Sequence, residues 1–250
     1  MMGKVIAVAN HKGGVGKTTS VANLGAALSL MGKRVLLIDL DAQQNLTFFF
    51  LKDEAEVSVY DALTGKAALP ILHVKENLDL TPSSIDLARA ELDLNARIAR
   101  EAILKNLLAD VAGKYDYILL DCPTSLGIVT YNALVAASDL FITLTAEALP
   151  YKGLTMLEEV VGEIRQTINP SLEISGVFIT RYNNRNLNNI VAEQIAERYG
   201  SKVFHTKIRE NIAVAEAPLS QMDIFAYAPE SNGAKDYRAL AEEVVARYEK

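Results

Sequence analysis

The residues with the clearest chemical potential lie at 11–20, which read HKGGVGKTTS. Gly16, Lys17 and Thr18 close the pattern G-x-x-x-x-G-K-[ST], whose backbone N–H groups surround phosphates. An apolar run, Val5–Ala9, precedes this segment, and a helical pattern begins at Thr18. Strand, glycine-rich turn and helix are the context that an anion site requires. We therefore predict a nucleotide site with Lys17 at the β- and γ-phosphates and Thr18 at a Mg²⁺ position. The predicted nucleotide contacts in this segment are Gly13, Gly14, Val15, Gly16, Lys17, Thr18 and Thr19.

The loop departs from the ordinary pattern at its start. His11 stands where the first glycine is expected, and a second lysine, Lys12, follows it. Spacing alone leaves two interpretations of Lys12 open. It is either a solvated loop lysine or a point charge that reaches a phosphate outside its own loop.

Two other apolar strands end in carboxylates. The segment 34–47, RVLLIDLDAQQNLT, places Asp39 and Asp41 on one side of the strand end, because side chains alternate with a period of two. The segment 115–126, YDYILLDCPTSL, ends its strand in Asp121. A carboxylate there can hold Mg²⁺, usually through water. Each aspartate alone is also typical of an ordinary turn, whereas three beside a phosphate loop favour a site.

Short apolar runs alternate with helical patterns along the chain, which predicts a doubly wound α/β fold with a mostly parallel sheet, helices on both faces and a single domain over residues 1–250. The predicted strands are Val5–Ala9, Arg34–Asp39, Leu78–Thr81, Tyr117–Asp121, Leu140–Thr145, Ile174–Thr180 and Lys202–His205. The predicted helices are Thr18–Met31, Ile85–Ala112, Thr130–Ala137, Lys152–Ile168, Asn188–Tyr199 and Ala234–Tyr248. The segment 48–69 shows no clear period.

Composition excludes several classes of protein. The chain has 250 residues, half of them hydrophobic, and a net charge of −6, so no global cationic field indicates nucleic acid or membrane. Its one cysteine, Cys122, excludes a disulfide framework and a four-cysteine metal site built by one chain, and is expected to be a packing residue. The N-terminus does not resemble a signal peptide, and no apolar run is long enough to span a membrane. We expect a soluble protein of a reducing, intracellular compartment.

The motif KGGVGKTT, together with the two aspartate-ending segments, resembles the deviant phosphate loop of the ParA/MinD family of ATPases. The resemblance covers nearly the whole chain, and residues 216–245 resemble the end of short ParA proteins that lack an N-terminal DNA-binding domain. It implies a phosphate-loop fold, ATP and Mg²⁺ as cofactors, and an ATP-dependent homodimer in which Lys12 crosses to the partner's nucleotide. A cation that arrives only on assembly can stabilise phosphoryl charge.

The resemblance also assigns the remaining residues of the site. It makes Lys12, Lys17 and Asp41 catalytic, with Asp41 positioning the attacking water. It places Thr18, Asp39 and Asp121 around Mg²⁺, and it makes residues 45–47 and 123–126 switch segments. The usual D-P-Q-G-N-A-T reads D-A-Q-Q-N-L-T at 41–47, and D-x-P-P-S reads D-C-P-T-S at 121–125. Loss of a proline and a glycine changes loop stiffness, so we expect the chemistry to be kept and the switching rate to change.

Members of this family bind different second ligands. The last helix carries balanced charges beside one apolar stripe, which favours a docked core helix and no membrane binding. Residues 181–211 hold six cations and three acids, which suits contacts to DNA phosphates but also an ordinary solvated face. The candidate DNA contacts are Arg185, Lys202, Lys207 and Arg209. Against this, Glu210 and Ala213 stand where relatives carry arginine.

The leading hypothesis is a slow, partner-stimulated partitioning ATPase that binds non-specific DNA, acts with a ParB-like partner, and is cytoplasmic and nucleoid-associated. One alternative is a positioning or adaptor ATPase that recruits a protein cargo, with weak or no DNA binding. Another is a metabolic enzyme that transfers phosphate to a small molecule, although no acceptor pocket is marked in the sequence.

Overall fold

The computed structural model describes residues 3–146 and 151–249. Its eight-stranded sheet has the order β3-β4-β2-β5-β1-β6-β7-β8. Every strand pairing is parallel except that of β3 with β4. The strands are β1 (Lys4–Ala9), β2 (Val35–Asp39), β3 (Leu72–Lys75), β4 (Leu78–Thr81), β5 (Tyr117–Asp121), β6 (Asp139–Thr145), β7 (Glu173–Tyr182) and β8 (Val203–Arg209).

Eleven helices are found in the described ranges, with short 3₁₀ turns between some of them. The α-helices are α1 (Lys17–Leu30), α2 (Asn45–Phe50), α3 (Val59–Leu63), α4 (Ala90–Asp93), α5 (Ile103–Ala109), α6 (Ile128–Ala136), α7 (Tyr151–Thr167), α8 (Asn186–Tyr199), α9 (Ile212–Glu216), α10 (Ile224–Tyr227) and α11 (Asn232–Tyr248). The 3₁₀ turns are Ile85–Arg89, Arg100–Ala102, Ala112–Lys114, Gly200–Lys202 and Ala217–Ser220. In these described parts of the chain, no helix combines the length and apolar character needed to cross a bilayer.

The central strands are buried on both faces, which is why they lack polar alternation. All residues of β2, β5 and β6 are buried. Successive side chains enter two different cores: Leu36 and Ile38 pack on one face of the sheet, whereas Leu37 packs on the other. The predicted doubly wound α/β fold is confirmed.

The site's location follows from the strand order. In the strand order, β2 and β5 lie to one side of β1, and β6 lies to the other side of it. The chain therefore reverses direction across the sheet at β1. Such a reversal opens a crevice outside the carboxyl ends of the strands, where α/β folds bind ligands. The ends of β1, β2 and β5 all face this crevice.

One predicted helix was wrong. The segment 85–112 is not continuous: two short helices, α4 and α5, are separated by a stretch that includes Ala99 in a left-handed conformation, with φ 53°. Leu94 is fully buried, but Ile98 is almost fully exposed, so the buried stripe ends between them. The edge strand β3 and the short helices α2 and α3 were not predicted from the sequence.

Candidate nucleotide-binding site

The segment 10–16 connects β1 to α1 as the sequence predicts. Gly14 and Gly16 have φ angles of 72° and 81°, the left-handed region that glycine enters without a steric penalty. Gly16 is the residue before α1, and the free N–H groups of the helix's first turn follow it. The loop and the positive end of the α1 dipole therefore form a site suited to an anion.

Two polar residues that the sequence analysis did not single out hold this loop. Asn10 is buried; its Nδ2 donates to the Thr143 carbonyl at 2.7 Å, and its Oδ1 accepts from the Lys12 amide at 2.9 Å. Thr180 Oγ1 donates to the Val15 carbonyl at 2.8 Å. Asn10 directly follows β1 and Thr180 lies near the end of β7. A polar residue at the end of an apolar strand was therefore the sequence signal that could have identified Asn10 and Thr180.

The Lys17 side chain lies inside the site, and the residue is only 7% exposed. Burial lowers the pKa of its ammonium, opposed by the negative charges of Asp121 and Asp41. A desolvated cation gains strongly from binding an anion such as phosphate. The predicted phosphate-binding role of Lys17 therefore fits its environment.

Asp39 and Asp121 are both fully buried at neighbouring strand ends. Burial raises the pKa of Asp39 to about 6, while hydrogen bonds from Thr47 and the Asp41 amide oppose the rise. Burial also raises the pKa of Asp121 well above its usual range, and the charge of Asp39 adds to that effect. Two buried carboxylates that repel each other would be stabilised by a cation between or beside them.

A magnesium ion fits these residues. Neither of the two buried oxygens of Asp121 accepts a hydrogen bond of normal geometry, although the nearby Thr18 hydroxyl lowers the pKa of this carboxyl. Buried polar atoms of this kind need an explanation such as an ion or water. Nowhere in 3–146 or 151–249 do three or more His, Cys, Asp or Glu residues form a metal-binding group. Thr18, water and phosphate oxygens would have to supply the other ligands, as is usual for Mg²⁺.

The two predicted switch segments are connected to the site differently. Asp39 accepts hydrogen bonds from the first, at Thr47. His11 Nδ1 lies 3.0 Å from the carbonyl oxygen of Thr124, in the second. Cys122, beside Asp121, is 1% exposed, and burial raises the pKa of its thiol, so it is a packing residue as expected.

The four candidate DNA-binding cations do not form one cluster. Arg185 precedes α8 and Arg209 ends β8, both at the carboxyl edge of the sheet. Lys202 precedes β8, at the amino ends of the strands, and the length of β8 separates it from Arg209 by about 20 Å. Lys207 Nζ lies 4.4 Å from the ring centroid of Tyr182. The Arg209 guanidinium lies 2.6 Å from the Asp236 carboxylate, which raises its pKa and compensates its charge.

A cavity of about 380 Å³ adjoins the phosphate loop. Gly14, Gly16 and Thr19 line one side, and Ile208, Glu210 and Ile212 are among the residues of the other. Its size and mixed lining are those of a small-molecule site. This cavity could not be predicted from the sequence, because only the fold brings residues 208–215 beside the phosphate loop.

Comparison with known proteins agrees with this geometry. A family profile described as an AAA domain matches residues 3–174. The chain is 44% identical to the chromosome-partitioning ATPase Soj of Treponema pallidum, covering 98% of both chains. It is 38% identical to the chromosome partitioning protein ParA of Caulobacter vibrioides, over 98% of this chain and 94% of that protein.

A solved structure of similar fold is that of cobyrinic acid a,c-diamide synthase from Mycobacterium smegmatis with bound ADP and magnesium. It superposes with a TM-score of 0.88 at 36% identity, covering 100% of this chain and 96% of the other. The phosphate loop, the buried carboxylates and these full-length similarities lead to one conclusion: the chain belongs to the ParA/MinD family of phosphate-loop ATPases.

Proposed function

We propose that this protein is a ParA-type partitioning ATPase in which Mg²⁺ and ATP drive two copies into a dimer that binds duplex DNA without sequence preference. The observation that carries the proposal is that the buried Lys17 ammonium and the buried Asp121 carboxylate, which accepts no hydrogen bond of normal geometry, both lie beside the phosphate loop. Such a pair accepts phosphates and a divalent cation together. The relatives named for chromosome partitioning support the cellular role.

Each residue of the site has a place in this cycle. Residues 12–19 cradle the nucleotide, with the nucleoside directed into the adjoining cavity. Thr18, Asp39 and Asp121 would hold Mg²⁺, and Asp41 would orient the attacking water. Lys12 contributes its charge to the nucleotide of the other copy, so the complete site exists only in the dimer.

Slow hydrolysis would then release the DNA, and a ParB-like partner would accelerate it. This cycle places the protein in the cytoplasm, at the nucleoid. We assign residues 1–250 to one ATPase domain, because a single sheet takes strands from Lys4 to Arg209.

The experiment is binding to non-specific duplex DNA with Mg²⁺ plus ATP, ADP or no nucleotide, at two salt concentrations. We expect binding only with ATP, weakened by salt because phosphate contacts release counterions. Arg185→Ala should reduce the affinity, since Arg185 is exposed at the carboxyl edge of the sheet. Lys114→Ala removes the same charge near the opposite edge and is the matched control. Arg209→Ala is less informative, because it also leaves the buried Asp236 unpaired.

A second function, recruitment of a protein cargo, is favoured by one surface. Glu210 is exposed, and Ile212 and Leu219, which follow it two and nine residues later, are 76% and 86% exposed. Apolar side chains with an acid suit a protein surface better than DNA phosphates. ATP-induced dimerisation without DNA binding in any nucleotide state would select this alternative.

ATP turnover also tests the remaining alternative, a metabolic transferase. A partitioning ATPase hydrolyses ATP with water alone, whereas a transferase needs its small-molecule acceptor. Turnover in purified protein without added metabolites would therefore support the switch ATPase.

A further inference from the structure

The loop that presents Asp41 is closed at both ends by one carboxylate. It leaves β2 after Asp39 and enters α2, where Thr47 lies in the first turn. Asp39 Oδ1 accepts from the Asp41 amide at 3.1 Å, and Oδ2 accepts from the Thr47 amide at 2.8 Å. Asp39 therefore fixes the loop's beginning and its end.

The Thr47 hydroxyl adds a second and more specific contact. Thr47 is fully buried, and its Oγ1 donates to Asp39 Oδ2 at 2.7 Å. The same oxygen accepts from the Ser83 amide at 2.9 Å. Because an amide N–H can only donate, the Thr47 hydroxyl must direct its own proton to the carboxylate. The Ser83 backbone thus sets the direction of the hydroxyl.

This arrangement joins two neighbouring strand ends through one side chain. Ser83 follows β4, which pairs with β2 in the sheet, and Asp39 ends β2. Asp41 is positioned by the hydrogen bond that its backbone amide donates to Asp39. Its own Oδ1 accepts a hydrogen bond from the Gln43 amide at 3.0 Å. If the Asp39 carboxylate rotates, the Asp41 amide loses its acceptor.

We infer that Thr47 is a positioning residue for ATP hydrolysis, because its hydroxyl holds the Asp39 carboxylate and, through it, the loop that presents Asp41. The inference rests on the proposed ATPase cycle and adds a residue to it. The hydrogen bonds of the Thr47 hydroxyl go to Asp39 and Ser83 and not to the phosphate loop, so its loss should affect turnover more than nucleotide binding. Misplacing a reacting group by about 1 Å can cost roughly 100-fold in rate.

The test compares Thr47→Val with Thr47→Ser and with Thr81→Val. Valine keeps the shape and the backbone amide of threonine but removes the hydroxyl, whereas serine keeps the hydroxyl. Thr81 is the matched control: it is fully buried on β4, and its hydroxyl donates to the Pro70 carbonyl at 2.7 Å, outside the loop. We measure single-turnover ATP hydrolysis, MgATP affinity and thermal unfolding for each variant.

We expect Thr47→Val to lower the hydrolysis rate about 10-fold or more, with MgATP affinity within about threefold of the wild type. Thr47→Ser should restore most of the rate, and Thr81→Val should lose thermal stability without losing rate. Equal rates in the two valine variants overturn the inference. So does a Thr47→Val protein that unfolds while Thr81→Val folds, since Thr47 would then be only structural. Failure of the wild type itself to hydrolyse ATP would count against the proposed function instead.

Discussion

At the scale of single residues, the nucleotide site places charged groups where water is scarce. Lys17 is nearly buried, and Asp121 is completely buried, with neither oxygen accepting a hydrogen bond of normal geometry. A buried charge without partners destabilises a folded chain. In the proposed function, binding of phosphate and Mg²⁺ together offsets this cost. Predictions for individual side chains follow from this balance.

Replacing Lys17 by alanine should abolish useful ATP binding. The change removes a charge-assisted hydrogen bond worth about 1.5–3 kcal/mol, so we expect Kd to rise roughly 10- to 100-fold or more. Fluorescent-nucleotide titration measures this. The unliganded variant should unfold at the same or a higher temperature than the wild type, because a desolvated cation is removed. Unchanged affinity would contradict the phosphate role.

Replacing Lys12 by alanine should separate binding from assembly. Lys12 is only half-buried in its own chain, and its proposed phosphate lies in the other copy. We expect MgATP still to bind while ATP-induced dimerisation fails, as measured by light scattering with and without nucleotide. A dimer of undiminished affinity in this variant would disprove the role of Lys12 across the interface.

At the scale of elements, the bounds predicted most accurately from the sequence are those of two apolar strands inside the sheet. β4 and β5 have the predicted bounds: every residue of β5 is buried and its apolar side chains enter the cores on both faces, and Leu78 and Leu80 of β4 enter one of those cores. β3 was missed since it is an antiparallel edge strand whose residues are mostly half-exposed. α3 had a readable signal, a capping box between Ser58 and Asp61. The contacts of Thr47 with Asp39 and Ser83 could not be read, because they join distant segments.

The first switch segment carries a residue in an unusual conformation. Gln44 has φ 59° and precedes α2 at the position where the family pattern has glycine. A side chain in the left-handed region costs about 1–2 kcal/mol. The expected change in loop stiffness therefore has a structural basis at this residue.

Gln44→Gly should be tolerated, with a stability change within about 1 kcal/mol, because relief of strain offsets the greater entropy of the unfolded chain. Gln44→Val should destabilise by about 1–3 kcal/mol, since a β-branched residue fits this conformation poorly. Urea unfolding of both variants measures the difference. If the valine variant is as stable as the glycine variant, Gln44 is not held in this conformation in solution.

At the scale of the whole molecule, the site links stability to pH. Asp39 and Asp121 have raised pKa values, so the folded chain binds more protons than the unfolded chain at mildly acidic pH. Their ionisation lowers the free energy of unfolding as pH rises. The free energy of unfolding increases again as pH falls through the folded-state pKa, which is about 6 for Asp39.

We therefore expect the ligand-free protein to gain stability between about pH 7 and pH 5, on the order of 1–3 kcal/mol. Below that window, acids with lowered pKa values such as Glu243 and Asp116 act in the opposite direction. Urea unfolding across this range measures the gain. Asp121→Asn is the control, and its gain should be smaller because one of the two titrating carboxyls is gone. An unfolding free energy that is flat or falls toward pH 5 in the wild type would contradict the assignment.

The single cysteine has a practical consequence. Cys122 is buried against the sheet, and burial disfavours its reactive thiolate. The natural chain is therefore almost silent toward maleimide dyes and spin labels. A cysteine introduced at an exposed position such as Ser220 would carry the only reporter in each copy. Distances between two such reporters would follow assembly and release of the proposed dimer in real time, without first removing the native thiol beside the proposed nucleotide site.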